Sequence, residues 1–250
     1  MPSPVDIVVI SLRSASSRRE RVVANLNTPT SGEAKNWRFF DALHWDAEVF
    51  DLRANEDRQI ARYGRKLGPS EIGCFKSHYM VLKSFLNDGL SPWLLVLEDD
   101  VWLDPHFDIM ELLSYAEKRD IHYIRLFGKM YKPAKIVGML SGFRQVIRFS
   151  TDPYGAQVYL ISRRGAQAFL KNLTSIDMPI DDELGRFWRH GLLPIAVFPF
   201  PAVETSVESS LQADREGGGM TRVRYSSKLV SFRIFEKLRK IVANMVIVQF

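Results

Sequence analysis

The alternation of apolar and polar positions divides the chain into strand-length and helix-length segments. Asp6–Leu12 (DIVVISL) is a β-branched run of strand length, followed by the polar, basic stretch Arg13–Arg21. Trp37–Ala42 (WRFFDA) reads as a second strand, and Asp46–Tyr63, polar with scattered apolar residues, as helix and loop. The clearest helix is Leu67–Gly89, where Ile72, Phe75, Tyr79, Leu82 and Phe85/Leu86 recur at helical steps and share one face. Gly68 serves as its N-cap and Pro69 fits the first helical position. Glu71 lies in the first turn, where the helix dipole favours negative charge, and Asn87-Asp88-Gly89 supplies the stop. Trp93–Leu97 (WLLVL) reads as a buried central strand that ends abruptly at Glu98-Asp99-Asp100. Ile121–Phe127, Phe143–Phe149, Gln157–Ser162 and Leu192–Phe198 are further strands, with Ser162 placed to cap a helix starting at Arg163. Strands alternating with helices predict an α/β domain with a largely parallel sheet.

The end of the chain has a pattern of its own. Gly217-Gly218-Gly219 reads as a hinge, dividing a domain over 1–216 from a tail over 217–250. In the tail, Val230, Ile234, Phe235, Leu238, Ile241, Val242 and Met245 recur at helical steps, while Lys228, Arg233, Lys237, Arg239 and Lys240 take the remaining face. A basic amphipathic helix of this kind lies in a bilayer interface with its apolar side down, or else packs on the domain's own core. Val246-Ile247-Val248 breaks the pattern and fits a terminal strand equally well.

Composition narrows the class. The 250 residues are 46% hydrophobic and 25% charged, ordinary for a soluble globular protein with a substantial core. The single Cys74 excludes an internal disulfide framework and any zinc cluster built from cysteines. No apolar run approaches the ~20 residues that a membrane span requires, and Met1–Val5 carries no Lys or Arg to start a signal peptide. The expectation is a cytoplasmic protein. The formal net charge of +5 is concentrated after Thr221, which points to an anionic partner, either a membrane surface or nucleic acid.

The sharpest local feature is WLLVLEDDV at Trp93–Val101. Three acids directly after a buried strand stand where open α/β sheets bind ligands. Hard divalent cations take such oxygen ligands, and three adjacent carboxylates repel unless something neutralises them; a solvated strand–loop junction is the plainer alternative. A second acidic group, Asp181-Asp182-Glu183 behind Pro179, reads as a general base or as an acid-rich helix start. Arg13, Arg18 and Arg19 offer donors for a phosphate, or simply solvate a helix start. His78, near the face of Phe75 and Leu82, and Cys74 read as core residues, as do Tyr154, Tyr159 and Trp188, although Tyr154 before Gly155 could stack on a sugar or base.

LGPSEIGCFKSH (Leu67–His78) followed by LEDDV (Leu97–Val101) resembles glycosyltransferase family 25, which includes lipooligosaccharide galactosyltransferases and collagen galactosyltransferase domains. VISLRSASSRRER (Val9–Arg21), RFFDAL (Arg38–Leu43), YGAQVYLISRRGAQAFL (Tyr154–Leu170), PIDDE (Pro179–Glu183) and, more loosely, ESSLQADRE (Glu208–Glu216) follow in the family's order. The region between Lys129 and Thr151 matches little.

The resemblance implies a GT-A type fold, a UDP-sugar donor (usually UDP-galactose) and an inverting single displacement assisted by a divalent metal, Mn²⁺ or Mg²⁺. Asp100 and Glu98 are the implied metal ligands; Glu98 and Asp99 are also placed to contact ribose or metal-bound water. Ser11, Leu12, Arg13 and Arg19 are assigned to the donor site, with His78 supporting the acidic loop. Asp181 is the implied base, with Asp182 in reserve. The acceptor would be a glycolipid or oligosaccharide such as lipopolysaccharide, reached by an enzyme peripheral to the inner face of the cytoplasmic membrane, with no nucleic-acid partner. The rival classes are a metal-dependent phosphoesterase or nuclease using the same carboxylates, and a non-catalytic adaptor using the tail.

Overall fold

The computed structural model describes residues 3–28, 37–171, 173–205 and 225–246. The glycine hinge, the Ser-rich stretch Glu208–Glu216 and the terminal residues Ile247 and Val248 lie outside them. One eight-stranded sheet carries the fold, in the order β2-β1-β4-β9-β6-β11-β8-β7. Its strands are β1 (Val5–Ser11), β2 (Trp37–Asp41), β4 (Trp93–Glu98), β6 (Tyr123–Arg125), β7 (Ala134–Met139), β8 (Gln145–Phe149), β9 (Val158–Ser162) and β11 (Ile195–Phe198).

The expected strands are present, but the sheet is mixed rather than largely parallel. β1 pairs in parallel with β2 and β4, and β6 with β11. The remaining pairings, β4–β9, β6–β9, β11–β8 and β7–β8, are antiparallel. Two strands run against the rest, β9 in the middle of the sheet and β8 near its edge. An apolar run such as VYLIS buries equally well in either direction, so its sequence carries no sign of its polarity.

Both faces of the sheet are covered. Along β1, Val5, Ile7 and Val9 join one core cluster and Val8 and Ile10 the other; along β4, Trp93, Leu95 and Leu97 oppose Leu94 and Val96. The first face receives α1 (Ser16–Leu26) and α4 (Ile109–Lys118), and the second receives α3 (Pro69–Asp88), α5 (Arg163–Leu170) and α6 (Ile180–Leu184). α3 begins as its sequence indicates: Glu71 reaches back to the Gly68 N–H at 2.9 Å and takes a bidentate pair from Arg65 at 2.7 Å. α2 (Glu56–Arg62) and α7 (Phe187–His190) are shorter, and two-stranded pairs join β3 (Arg53–Ala54) to β10 (Ser175–Ile176) and β5 (Val101–Leu103) to β12 (Ala202–Glu204).

The last described helix is α8 (Ser227–Val246). It packs against the domain, touching α2 and α7, but not through its apolar stripe. Leu229 is fully buried, Phe232 sits between the guanidiniums of Arg62 and Arg186, and Glu236 accepts from Arg186 at 2.7 Å and Trp188 at 2.9 Å. Lys240 reaches Thr151, and Asn244 donates to the Ser150 carbonyl. Val230, Ile234, Phe235, Leu238, Ile241, Val242 and Met245 remain 40–70% exposed on the outer side.

Candidate functional site

One face of α3 builds the first wall of a cavity of about 270 Å³ at the carboxyl ends of β1 and β4. A methyl group on Gly73 would stand 2.7 Å from the Leu43 carbonyl oxygen, so only glycine lets the helix approach the chain after β2 this closely. Ser77 Oγ accepts from the Leu43 N–H at 2.8 Å and donates to the Gly73 carbonyl at 2.7 Å. Lys76 Nζ donates to the carbonyls of Trp45 (2.6 Å) and Ala47 (2.8 Å). Together these bonds hold His44 and Trp45 as part of the cavity lining. Trp45 is 47% exposed, an aromatic face available for stacking.

The acidic turn after β4 forms the floor, and its three carboxylates diverge. Asp99 is turned inward: it accepts from Ser11 Oγ at 2.6 Å and pairs with Arg18 at 3.1 Å. Burial pushes its pKa up, and the Ser11 bond and Arg18 oppose that rise. Glu98 faces the His78 ring at 3.4 Å. His78 is itself fully buried, and its Nδ1 lies 3.0 Å from the Tyr159 hydroxyl. Asp100 is anchored by its backbone, its carbonyl accepting from the Thr205 N–H (2.7 Å) and hydroxyl (2.8 Å). Its Oδ1 is buried with no hydrogen-bond partner among the described residues. Burial, then the charges of Glu98, Glu204 and Asp99, push its pKa upward. A buried carboxylate without a donor and repelled by three others is a group suited to a cation.

The opposite wall exists because β9 runs backwards. Its first residues lie beside the end of β4, and the Gln157 carbonyl accepts from the Glu98 N–H at 2.8 Å. The turn before it is held by Arg125, a fully buried guanidinium at the end of β6. Arg125 pairs with Asp152 at 2.7 Å and donates to the Gly155 carbonyl. Removing one member of such a pair strands a buried charge and costs about 3–5 kcal/mol. Tyr154 and Gly155 both take positive φ, 61° and 87°, which presents the half-exposed Tyr154 at the surface. Lys129, whose N–H donates to the Tyr154 carbonyl, lines the cavity beside Gln157.

The second acidic group reaches the same neighbourhood through the start of α6. Asp181 accepts from the Gly155 N–H at 3.4 Å. Burial first, then the charges of Glu98, Asp181 and Asp100, raise the Cys74 thiol's pKa. Glu183 differs from its neighbours: it is buried and paired with Arg186 and Arg189, a structural ion pair that anchors α7.

Asp182 is pushed up to about 7, by burial first and then by Asp181 and Asp152, against a lowering hydrogen bond from Tyr63. A carboxyl raised on folding stabilises the fold while protonated, fully so below the unfolded value of 3.8, and that contribution is lost as pH rises through about 7. Asp182→Asn is therefore expected to be more stable than the parent at pH 8 by on the order of 1–4 kcal/mol, and equal to it at pH 4. Urea unfolding at the two pH values checks this; a variant less stable at pH 8 contradicts it.

The expected donor-site residues divide. Ser11, Leu12, Glu98, Asp99 and Asp100 line the cavity, with His78 directly behind Glu98. Arg19 is spent on the end of β1, donating to the Ser11 carbonyl and hydroxyl and to Asp41 while covering Phe39. Arg13 is exposed and is not among the lining residues, whereas Arg18 is. Cys74, read from sequence as an inert core residue, lines the cavity. Lys129, Gln157 and Arg125 were missed. Each is an isolated polar residue at or just beyond a strand end, with no local pattern around it that marks a site.

Residues 5–184 match the family described as glycosyltransferase family 25 (LPS biosynthesis protein). Among individual proteins, the chain is 29% identical over 176 residues to the lipooligosaccharide biosynthesis protein lic2B of Haemophilus influenzae, covering 67% of this chain and 63% of that one. It is 28% identical over 182 residues to procollagen galactosyltransferase 1 of Danio rerio, covering 66% of this chain and 28% of the relative. A human relative named inactive glycosyltransferase 25 family member 3 is 27% identical, over 80% of this chain and 36% of its own. The matches thus span less than two thirds of each relative's length, and relatives named for activity and for its absence are both among them. The match over 5–184, most of the chain, decides the classification: the chain belongs to glycosyltransferase family 25.

Proposed function

We propose that the protein is an inverting glycosyltransferase of GT-A type that moves a hexose, in the first instance galactose, from a UDP-sugar to a lipooligosaccharide, lipopolysaccharide or related surface glycan. The observation that carries this reading is the cavity at the carboxyl end of β4, where Glu98, Asp99 and Asp100 line one space with Ser11, Arg18 and Lys129. Such an end is where open α/β sheets bind nucleotides.

Each residue then has a task. Ser11 and Leu12 line the uridine end, and the His44–Trp45 segment closes it. Arg18 and Lys129 face the diphosphate as the cavity's cations. Glu98 and Asp100 are the ligands for a divalent ion, Mn²⁺ or Mg²⁺, because Asp99 is already committed to Ser11 and Arg18. When bound, such an ion supplies charge stabilisation to the departing diphosphate. Asp181 takes the proton of the acceptor hydroxyl as that oxygen bonds the anomeric carbon and the bond to UDP breaks. Tyr154, exposed beside Asp181, offers a ring for the acceptor sugar. Incubating the protein with a panel of UDP-sugars and Mn²⁺ tests the reading. UDP-galactose is expected to be hydrolysed fastest and only with metal; no turnover of any UDP-sugar would overturn it.

The acceptor proposal extends to α8. No described helix is long and apolar enough to cross a membrane, but α8 has the charge distribution of an interfacial one. At about 100° per residue, the exposed apolar stripe occupies a contiguous arc. Lys228 and Arg239 border one edge of it, and Arg233 and Lys237 the other. Each such cation contributes about 1 kcal/mol near an anionic surface. Because the opposite face of α8 is docked, truncating it would take Glu236 from Arg186 and Trp188 and expose the surface that covers Leu229. The test is therefore Ile234→Glu/Leu238→Glu in the full chain. The parent is expected to co-sediment with phosphatidylglycerol-containing vesicles, less so as salt rises, and the double variant to stay in solution. A parent that ignores the vesicles, or a variant that binds equally, contradicts membrane docking.

A further inference from the structure

We propose that Cys74, His78 and Glu98 form a binding site for a divalent cation of the zinc class, separate from the Glu98–Asp100 position and sharing Glu98 with it. The thiol sulfur, an imidazole nitrogen and a carboxylate oxygen of these residues lie within 4.8 Å of one another. Tetrahedral zinc, with ligand bonds of about 2.0–2.3 Å, needs such atoms about 3.5 Å apart. The His78–Glu98 contact already stands at 3.4 Å, so only the sulfur has to close in.

Three features favour occupancy. Cys74 and His78 are four residues apart on α3, which puts both on the same side of one rigid helix. His78 is held from behind: its Nδ1 meets the Tyr159 hydroxyl at 3.0 Å, which orients the ring so that Nε2 points at Glu98. A buried partner on the far ring nitrogen is the support that metal-bound histidines ordinarily have. Finally, Cys74 lines the donor cavity and is open to it, so an ion has an entry path and a fourth position for water or substrate. The donor set, one sulfur, one nitrogen and one oxygen, suits zinc or cobalt and not the harder Mg²⁺ or Mn²⁺.

An ion held there draws Glu98 toward α3. Zinc-class metals should consequently inhibit transfer rather than support it; this consequence rests on the function proposed above, whereas the binding does not.

Cobalt titration of the full chain, followed by near-ultraviolet absorption, tests the binding directly. Cys74 is the only cysteine, so any thiolate-to-cobalt band reports that residue. The expected result is a band saturating at one cobalt per chain, absent in Cys74→Ser and at least ~10-fold weaker in affinity in His78→Gln and in Glu98→Gln. Thermal melting of each variant without metal confirms that it is folded. No band in the parent, or a band unchanged in both His78→Gln and Glu98→Gln, overturns the site. For the shared ligand, zinc inhibition that is relieved in Cys74→Ser supports the overlap, and equal inhibition of both enzymes overturns it.

Discussion

Asp100→Asn is expected to abolish sugar transfer while leaving the protein folded. The backbone at this position is pinned by Thr205, whose N–H and hydroxyl both donate to the Asp100 carbonyl, and a side-chain change leaves those bonds intact. The carboxylate contributes nothing comparable to the fold. Its Oδ1 is buried without a partner among the described residues, and burial and neighbouring charges disfavour its ionised form. A buried carboxyl left without a partner is more readily explained by a ligand than by stability. Asparagine keeps the shape and one oxygen but cannot supply the charge a divalent ion requires. The expected pattern is activity reduced by at least ~10³-fold, the scale of losing a charge-stabilising group, with a melting temperature at or above that of the parent. Full activity in Asp100→Asn, or a variant that no longer folds, contradicts this.

Asp181→Asn is expected to separate chemistry from donor binding. Asp181 is held by the Gly155 N–H at the turn before β9. An amide cannot accept the acceptor's proton, so transfer should fall by roughly 10²–10⁴, the usual worth of a general base. UDP affinity should stay near that of the parent. Asp182 sharpens the test, since a carboxyl at about 7 also suits a base at neutral pH. A fully active Asp181→Asn beside an inactive Asp182→Asn would move the role by one residue. Loss of UDP binding in Asp181→Asn would place Asp181 in the donor site instead.

The sequence disclosed the elements whose physics is local. Leu67–Gly89 was legible because an apolar period, a first-turn proline and an acid at the N-terminus all agree, and α3 follows at Pro69–Asp88. The β4 run ending in three acids was legible for the same reason. α4 escaped notice although Asp108, Ile109, Leu112, Leu113 and Ala116 carry both a cap and a helical period. The short pair β5–β12, which brings Glu204 next to Asp100, joins segments a hundred residues apart and leaves no local trace.

The site was legible as two acidic clusters, and the family motif named most of its residues. What stayed hidden was direction and commitment. Only the reversal of β9 explains why Gln157 lies beside Glu98, and only the packed structure shows that Asp99, Arg19 and Glu183 are already engaged. α8 taught a similar lesson. Its apolar stripe pointed to a bilayer or to the domain's core, yet the helix docks through Leu229, Phe232 and Glu236, because two arginines and a tryptophan on the domain meet an acid and a ring there.

The central claim, a metal-assisted UDP site at Glu98–Asp100, is tested most directly by calorimetric titration of UDP with Mn²⁺ present and again with EDTA. The expected result is one UDP per chain with Mn²⁺, binding at least ~10-fold weaker with EDTA, and the same weak binding for Asp100→Asn whether or not metal is present. Equal UDP affinity with Mn²⁺ and with EDTA, or no binding in either, would contradict it.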